Sequence, residues 1–76
     1  MGAEYLDKIL AVERILIHNP YGITTKEIIS KLESIYGIKA ERKSIYSNIA
    51  VLTRFLPIDV RTESKTTFWY IRTGVE

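Results

Sequence analysis

The first part of the chain has hydrophobic residues at the spacing of an amphipathic helix, from about residue 3 to residue 18. The predicted inward arc contains Tyr5, Leu6, Ile9, Leu10, Val12, Leu16 and Ile17. Asp7, Arg14 and His18 fall on the opposite side, where water would solvate them. The Asn-Pro-Tyr-Gly segment at 19–22 then ends the pattern, because Pro disfavours helix in the residue before it and Gly tolerates a turn.

A second helix is predicted over residues 25–36 by signals at both of its ends. Thr24 and Glu27 have the spacing of a capping box, in which each side chain accepts a hydrogen bond from the other residue's backbone N–H. Gly37 stands where a left-handed residue would terminate the helix. The predicted apolar face consists of Ile28, Ile29, Leu32, Ile35 and Tyr36.

A third helix is predicted over residues 41–56, where Pro57 would stop it. On a helical wheel the inward positions are Ile45, Ile49, Leu52 and Leu56. The opposite side holds Lys43, Ser47, Ala50 and Arg54, with Ser44, Tyr46 and Val51 on the flanks. This outer side is positive and slim, which suits a helix that enters a DNA major groove about 12 Å wide. An ordinary solvated face is the alternative, although Ser and Ala are a poor choice for solubility alone.

The sequence after Pro57 predicts a β-hairpin over about residues 58–72, with a turn near 63–65. Its second strand contains Phe68, Trp69 and Tyr70, and we expect alternate members of this run to be buried on the core rather than to stack on single-stranded bases. Three helices followed by a hairpin predict a mainly α fold with a small β-hairpin (α+β). The order is that of a three-helix winged helix-turn-helix, occupying residues 1–76 as a single domain.

Composition and charge limit the possible locations and functions of the protein. The 76 residues include no cysteine, no signal peptide and no apolar run near the ~20 residues of a membrane span, so we expect a cytoplasmic protein without membrane contact. The net charge of +2 is uneven, because residues 1–38 sum to −1 and residues 39–76 to +3. A basic second half is typical of a surface that binds a polyanion.

The sequence does not predict an enzyme, and it predicts no metal, no cofactor and no small-molecule site. Its one histidine, His18, falls at the end of the first helix, where an imidazolium would favour the negative helix terminus. The sequence contains no recognisable nucleophile–base pair, no metal-ligand spacing and no Gly-rich phosphate loop.

Several segments together resemble a known family. They are Ile23-Thr24-Thr25-Lys26-Glu27-Ile28, then Leu32 to Ile38, then Glu41 to Ile49 with Leu52, and Phe68-Trp69-Tyr70-Ile71. This run is similar to the amino-terminal winged helix of bacterial WYL-type transcriptional regulators and of the broader DeoR-like group. The similarity spans roughly residues 5–72. Family members commonly have Arg at the position of Ser47 and Asp at that of Asn48.

The resemblance implies a double-stranded DNA-binding domain of a bacterial or phage transcriptional regulator. The groove-reading residues would be Arg42, Lys43, Ser44, Tyr46 and Ser47, although the helical wheel places Tyr46 equally well as a half-buried packing residue. Lys65 in the hairpin, which forms the wing, would approach a neighbouring phosphate. Arg54 would meet the DNA backbone or nothing. The backbone N–H groups of Thr25 and Lys26, at the start of the second helix, would hold another phosphate.

Two questions stay open from the sequence. One alternative function is a winged-helix protein–protein interaction module, such as a small phage or plasmid protein, with little or no DNA binding. First-helix residues outside the predicted inward arc, such as Ile15, would then serve a homodimer or a partner. A DNA-binding domain is also expected to act as a dimer, since a lone domain of this size offers only roughly 600–1,000 Å² of interface. The related regulators usually continue into a ligand-sensing domain, so the chain is either an excised domain or a free-standing winged helix.

Overall fold

Three helices precede an antiparallel β-hairpin, in the order that the hydrophobic pattern predicts. The computed structural model describes the backbone of residues 2–72 and the side chains of residues 7–72. The elements are α1 Gly2–Ile17, α2 Thr25–Tyr36, α3 Arg42–Leu52, β1 Ile58–Glu63 and β2 Thr66–Ile71. This is an α+β layout consistent with a winged helix, and the predicted fold class is confirmed.

The core lies where the three helices meet. Its fully buried apolar side chains include Val12 and Leu16 from α1, Ile28 and Leu32 from α2, Ile45 and Ile49 from α3, and Ile23 between α1 and α2. Leu52 is also buried, and Trp69 and Ile71 of β2 pack against the cluster. The predicted inward side of α3 is therefore confirmed.

Helix α1 is rotated from the predicted orientation by roughly one residue position, about 100°. Ile15, which we expected outside the core, is only 3% exposed, whereas Leu10 and Ile17 are 56% and 52% exposed. Apolar residues surround most of this helix, so the wheel alone does not select the buried arc. Packing of α2, α3 and β2 against α1 selects it. Tyr5 and Leu6, which we also placed in the arc, lie outside the described side chains.

Both predicted caps of α2 are present. Thr24 Oγ1 accepts a hydrogen bond from the Glu27 backbone N–H at 3.1 Å, and the Glu27 carboxylate accepts one from the Thr24 N–H at 3.1 Å. Gly37 ends the helix with a φ of 67°, in the left-handed region that favours glycine. The predicted apolar face extends too far, however, because Ile35 and Tyr36 in the last turn are exposed.

Helix α3 ends at Leu52, four residues before the predicted end. Beyond it the chain tightens into turns, since the N–H groups of Phe55 and Leu56 both donate to the Leu52 carbonyl. Pro57 disfavours helical geometry at Leu56 and has no N–H of its own. The turns lead the chain into β1, while Leu56 remains half-buried against the core as its wheel position predicts.

The hairpin pairs Ile58 with Ile71 and Glu63 with Thr66 at its two ends. Ser64 and Lys65 form its two-residue loop, with φ values of 48° and 68°. Two positive φ values in succession are the pattern of a type I′ turn, which matches the twist of the strands but strains residues other than Gly, Asn and Asp. The sequence did not reveal this turn type.

A third segment of the chain pairs with the hairpin at a single residue, which was not predicted. Ile23 pairs with Trp69 in an antiparallel bridge, through hydrogen bonds of 2.9 and 2.8 Å in the two directions. The link between α1 and α2 is thereby attached to β2, and the start of α2 is fixed relative to the hairpin.

Candidate nucleic-acid interface

The outer side of α3 is exposed along its length. Arg42, Lys43, Ser47 and Ala50 all face away from the core, and Arg54 is exposed in the turn that follows the helix. The buried side of the same helix is formed by Ile45, Ile49 and Leu52. Arg42, Lys43 and Arg54 form no ion pair among the side chains that the structure describes.

The start of α3 has an unusual electrostatic arrangement. Its cap residue, Glu41, makes no side-chain hydrogen bond to the helix, and the first turn contains no acidic residue. Arg42 and Lys43 occupy the first two helical positions instead. A helix amino terminus is equivalent to roughly half a positive charge, so two cations there oppose the helix dipole. The same cations add to the attraction of that end for an anion.

Ser44 and Tyr46 lie at the two edges of this surface. Ser44 is half-buried, and its hydroxyl accepts a hydrogen bond from the Lys8 ammonium on α1. Tyr46 is 46% exposed, and its ring centroid is 6.1 Å from that of Trp69 with an interplanar angle of 52°. Tyr46 therefore both packs on the hairpin and presents part of its ring to solvent.

Trp69 joins the start of α2 to the flank of α3. Its indole Nε1 donates to Thr25 Oγ1 at 3.0 Å, while its ring packs beside Tyr46. Trp69 thus packs against the hydrophobic core, as expected from the strand pattern. The Thr25 side chain is buried, so only its backbone N–H is left for the expected phosphate.

The start of α2 also holds a carboxylate that sequence reasoning treated only as a cap. The Glu27 carboxylate accepts the Thr24 N–H bond and places negative charge at this helix end. Lys26 is exposed one position earlier. Of the two residues predicted to hold a phosphate here, Lys26 offers a cationic side chain, and Glu27 opposes an anion at the backbone N–H groups.

Lys65 is exposed at the tip of the hairpin, in the position expected for a wing residue. The base of the hairpin is held by Arg61, which sequence reasoning missed. Arg61 Nη1 donates to the Tyr21 carbonyl at 2.6 Å, and the guanidinium carbon lies 4.7 Å from the centre of the Phe68 ring. Arg61 Nε is also 3.0 Å from Glu63 Oε2, an ion pair in which the N–H is not aligned for a hydrogen bond.

These contacts fix the wing against the link between α1 and α2. Gly22 lies within this junction, where an added Cβ would come 2.9 Å from the Phe68 Cβ, and its φ of 117° also favours glycine. No local pattern signals Arg61, because its hydrogen-bond partner is 40 residues earlier in the chain.

Asn48 is the second residue that sequence reasoning did not place. It is buried on α3, and its Nδ2 has no hydrogen-bond partner among the described residues. A buried unpaired amide is unfavourable, by about 1–3 kcal/mol. It lies on the core side of the helix, away from Lys43 and Ser47, so it is not part of the outer surface.

Residues 7–72 contain no group of three or more His, Cys, Asp or Glu side chains that could hold a metal ion. None of the helices described is both long enough and apolar enough to cross a membrane.

Comparison with models of known protein families, with curated proteins and with solved structures finds no match to this chain. The geometry of the described residues must therefore support any functional assignment by itself.

Proposed function

We propose that this chain is a sequence-preferring double-stranded DNA-binding domain that acts in transcription control in the cytoplasm, with α3 in the major groove and the hairpin on the adjacent backbone. The observation behind the proposal is the outer side of α3. It exposes Arg42 and Lys43 beside the small residues Ser47 and Ala50, with Arg54 exposed in the turn that follows, while Ile45, Ile49 and Leu52 on the inner side of the helix are buried.

The dimensions of a helix and a groove support this assignment. An α-helix with its side chains is about 10–12 Å across, and the major groove is about 12 Å wide, so the inserted face must be slim. Ser47 and Ala50 provide that slimness in the middle of the face. Arg42 and Lys43 at one end, and Arg54 beyond the other, are long enough to reach phosphates on the groove walls.

The residues of the surface have different roles under this proposal. Arg42 and Lys43 contact phosphates or guanine edges, and the Ser47 hydroxyl contacts a base edge. Tyr46 and Lys26 contact the sugar–phosphate backbone beside α3, and Lys65 contacts it from the wing. Ser44 acts through Lys8, whose ammonium it holds at the edge of the surface.

Salt dependence tests the proposal. Binding to duplex DNA through Z phosphate contacts weakens with a log–log salt slope near −0.9Z, and we expect roughly three to six contacts for a domain of this size. Replacing Arg42 and Lys43 by Ala should weaken binding about tenfold or more at low salt and flatten the slope by about 2. Fluorescence anisotropy of a labelled random duplex at several salt concentrations measures both quantities.

The matched control is the Lys31→Ala/Arg72→Ala variant, which removes the same charge away from α3. It should retain the parent slope. If the Arg42→Ala/Lys43→Ala variant binds as the parent does, α3 is not the contact surface. Selection of bound sequences from a random duplex pool then shows whether binding prefers a motif.

A second candidate function is a protein-interaction module. The observation that favours it is a set of large apolar side chains more than half exposed, namely Leu10, Ile17, Tyr21, Ile35 and Phe55. Scattered exposed apolar residues are common on folded proteins, which makes this evidence weaker than the organised cationic face. A binding partner held by apolar contacts should associate almost independently of salt.

A further inference from the structure

One side of α1 is not covered by the rest of the described chain. Its central residues are Leu10, Glu13, Arg14 and Ile17, which we call the α1 outer face, and the exposed Asp7 lies at the amino-terminal edge of the same side. Leu10 and Ile17 present more than half of their surface to solvent, Arg14 is exposed and Glu13 is half-buried. Neither charged residue forms an ion pair with the other side chains between residues 7 and 72.

The α1 outer face is symmetric about its own midpoint. Residues three, four and seven positions apart share one side of a helix, so Leu10, Glu13, Arg14 and Ile17 form a single patch. With a rise of 1.5 Å per residue, Leu10 and Ile17 are about 10 Å apart along the axis. Glu13 and Arg14 lie on either side of the centre. The patch therefore has one apolar residue at each end and one acid and one base in the middle.

We propose that a second copy of this chain packs on the α1 outer face, with the two α1 helices antiparallel. Antiparallel pairing places Leu10 against the partner's Ile17, and Glu13 opposite the partner's Arg14. Each apolar contact and each ion pair then occurs twice. Parallel pairing would instead bring Glu13 close to the partner's Glu13 and Arg14 close to the partner's Arg14, and like charges at an interface are strongly unfavourable.

The small size of the patch limits the strength of the dimer. Two apolar side chains per copy provide less buried surface than the roughly 1,200–2,000 Å² of stable interfaces, so we expect a weak, concentration-dependent dimer. Two linked copies would present two α3 surfaces, and linkage raises the effective concentration of the second binding event. The dimer itself rests on α1 alone and does not require the proposed DNA binding.

A charge-swap experiment tests the pairing. Glu13→Arg places arginines opposite arginines in a homodimer, and Arg14→Glu places glutamates opposite glutamates. Each variant alone should dimerise at least about tenfold more weakly than the parent. An equimolar mixture of the two variants restores both opposite-charge pairs and should form a heterodimer of parent strength. Sedimentation equilibrium without DNA, over a wide range of protein concentrations, measures all three samples.

The mixture also controls for folding, because a variant that fails to fold would not be rescued by another. A parent that stays monomeric at the highest concentration would overturn the proposal, as would variants that dimerise like the parent. Weak variants that melt cooperatively like the parent, but whose mixture also fails to associate, would overturn the pairing of Glu13 with the partner's Arg14. Since no DNA is present, none of these outcomes depends on whether α3 enters a groove.

Discussion

Helices α2 and α3 are of similar length and pack on the same core, but their ends are built differently. Helix α2 begins with a complete capping box and ends at a left-handed glycine. The cap residue of α3, Glu41, makes no capping bond, and the helix begins with Arg42 and Lys43 at its positive terminus. Helix α2 is arranged for local stability, whereas the start of α3 carries charges that hinder the helix and favour an anion.

Stability and the proposed function depend on different parts of α3. Both helices contribute fully buried isoleucines to the core, so α3 is held by its inner side and does not depend on strong caps. Its outer side and first turn are then free to hold residues that suit the proposed DNA binding. The wing shows the same separation, since Arg61 anchors its base while Lys65 occupies a strained position at its tip.

The largest expected effect tests whether α3 is held by its inner side. Ile49→Ala should lower the free energy of unfolding by about 2–5 kcal/mol, because it removes buried methyl groups and leaves a cavity. Ser47→Ala on the outer side of the same helix should change it by less than about 0.5 kcal/mol. Urea unfolding followed by circular dichroism measures both. Equal effects of the two substitutions would contradict the orientation of α3.

A smaller effect is expected at the cap of α2. Thr24→Ala should lower the free energy of unfolding by about 1 kcal/mol, since the Glu27 N–H loses its acceptor at the helix start. Thr24→Ser retains the hydroxyl and serves as the control. A Thr24→Ala variant as stable as the control would mean that the capping box contributes nothing to α2.

The strained wing turn should respond in the opposite direction. Ser64→Asn with Lys65→Gly installs the residues that a type I′ turn favours, and should raise the free energy of unfolding by roughly 0.5–1 kcal/mol. The same variant should bind duplex DNA more weakly, because it removes the wing cation. Ser64→Asn alone, which keeps Lys65, separates the two effects. An unchanged melting temperature in the double variant would argue against strain at the tip.

The smallest effect is expected where α3 lacks a cap. Glu41→Ser provides a hydroxyl at the cap position, and should raise the free energy of unfolding by a few tenths to about 1 kcal/mol. Glu41→Ala, which supplies no acceptor, is the matched control in the same urea titration. If Ser and Ala give the same stability, the start of α3 does not need a cap.

The parts of the fold that local chemistry determines were predictable. The capping box and Gly37 gave the bounds of α2, and the hydrophobic spacing gave the inner side of α3. The rotation of α1 was wrong, since several elements pack on it and its own apolar residues allow more than one buried arc. The end of α3 was also wrong, because Pro57 marks where a helix must stop but not how much earlier the chain turns.

The candidate site also contains features that local sequence patterns predict and contacts that they do not. The exposed positions of Lys43 and Ser47 follow from the period of the helix. The contacts of Ser44 with Lys8, of Thr25 with Trp69 and of Arg61 with Tyr21 join residues 36 to 44 positions apart, which no local pattern indicates.

Under the proposed function, the cations at the start of α3 reduce the stability of the helix and increase its affinity for an anion. Thermal melting of the parent and of the Arg42→Glu/Lys43→Gln variant at low salt, each with and without duplex DNA, tests this most directly. Without DNA the variant should melt at a higher temperature, because an acid replaces a cation at the positive helix terminus. Duplex DNA should raise the Tm of the parent by preferential binding to the folded state, and raise that of the variant much less, because the variant retains only the contacts outside the start of α3. A duplex that raises both Tm values equally, or neither, would contradict the account.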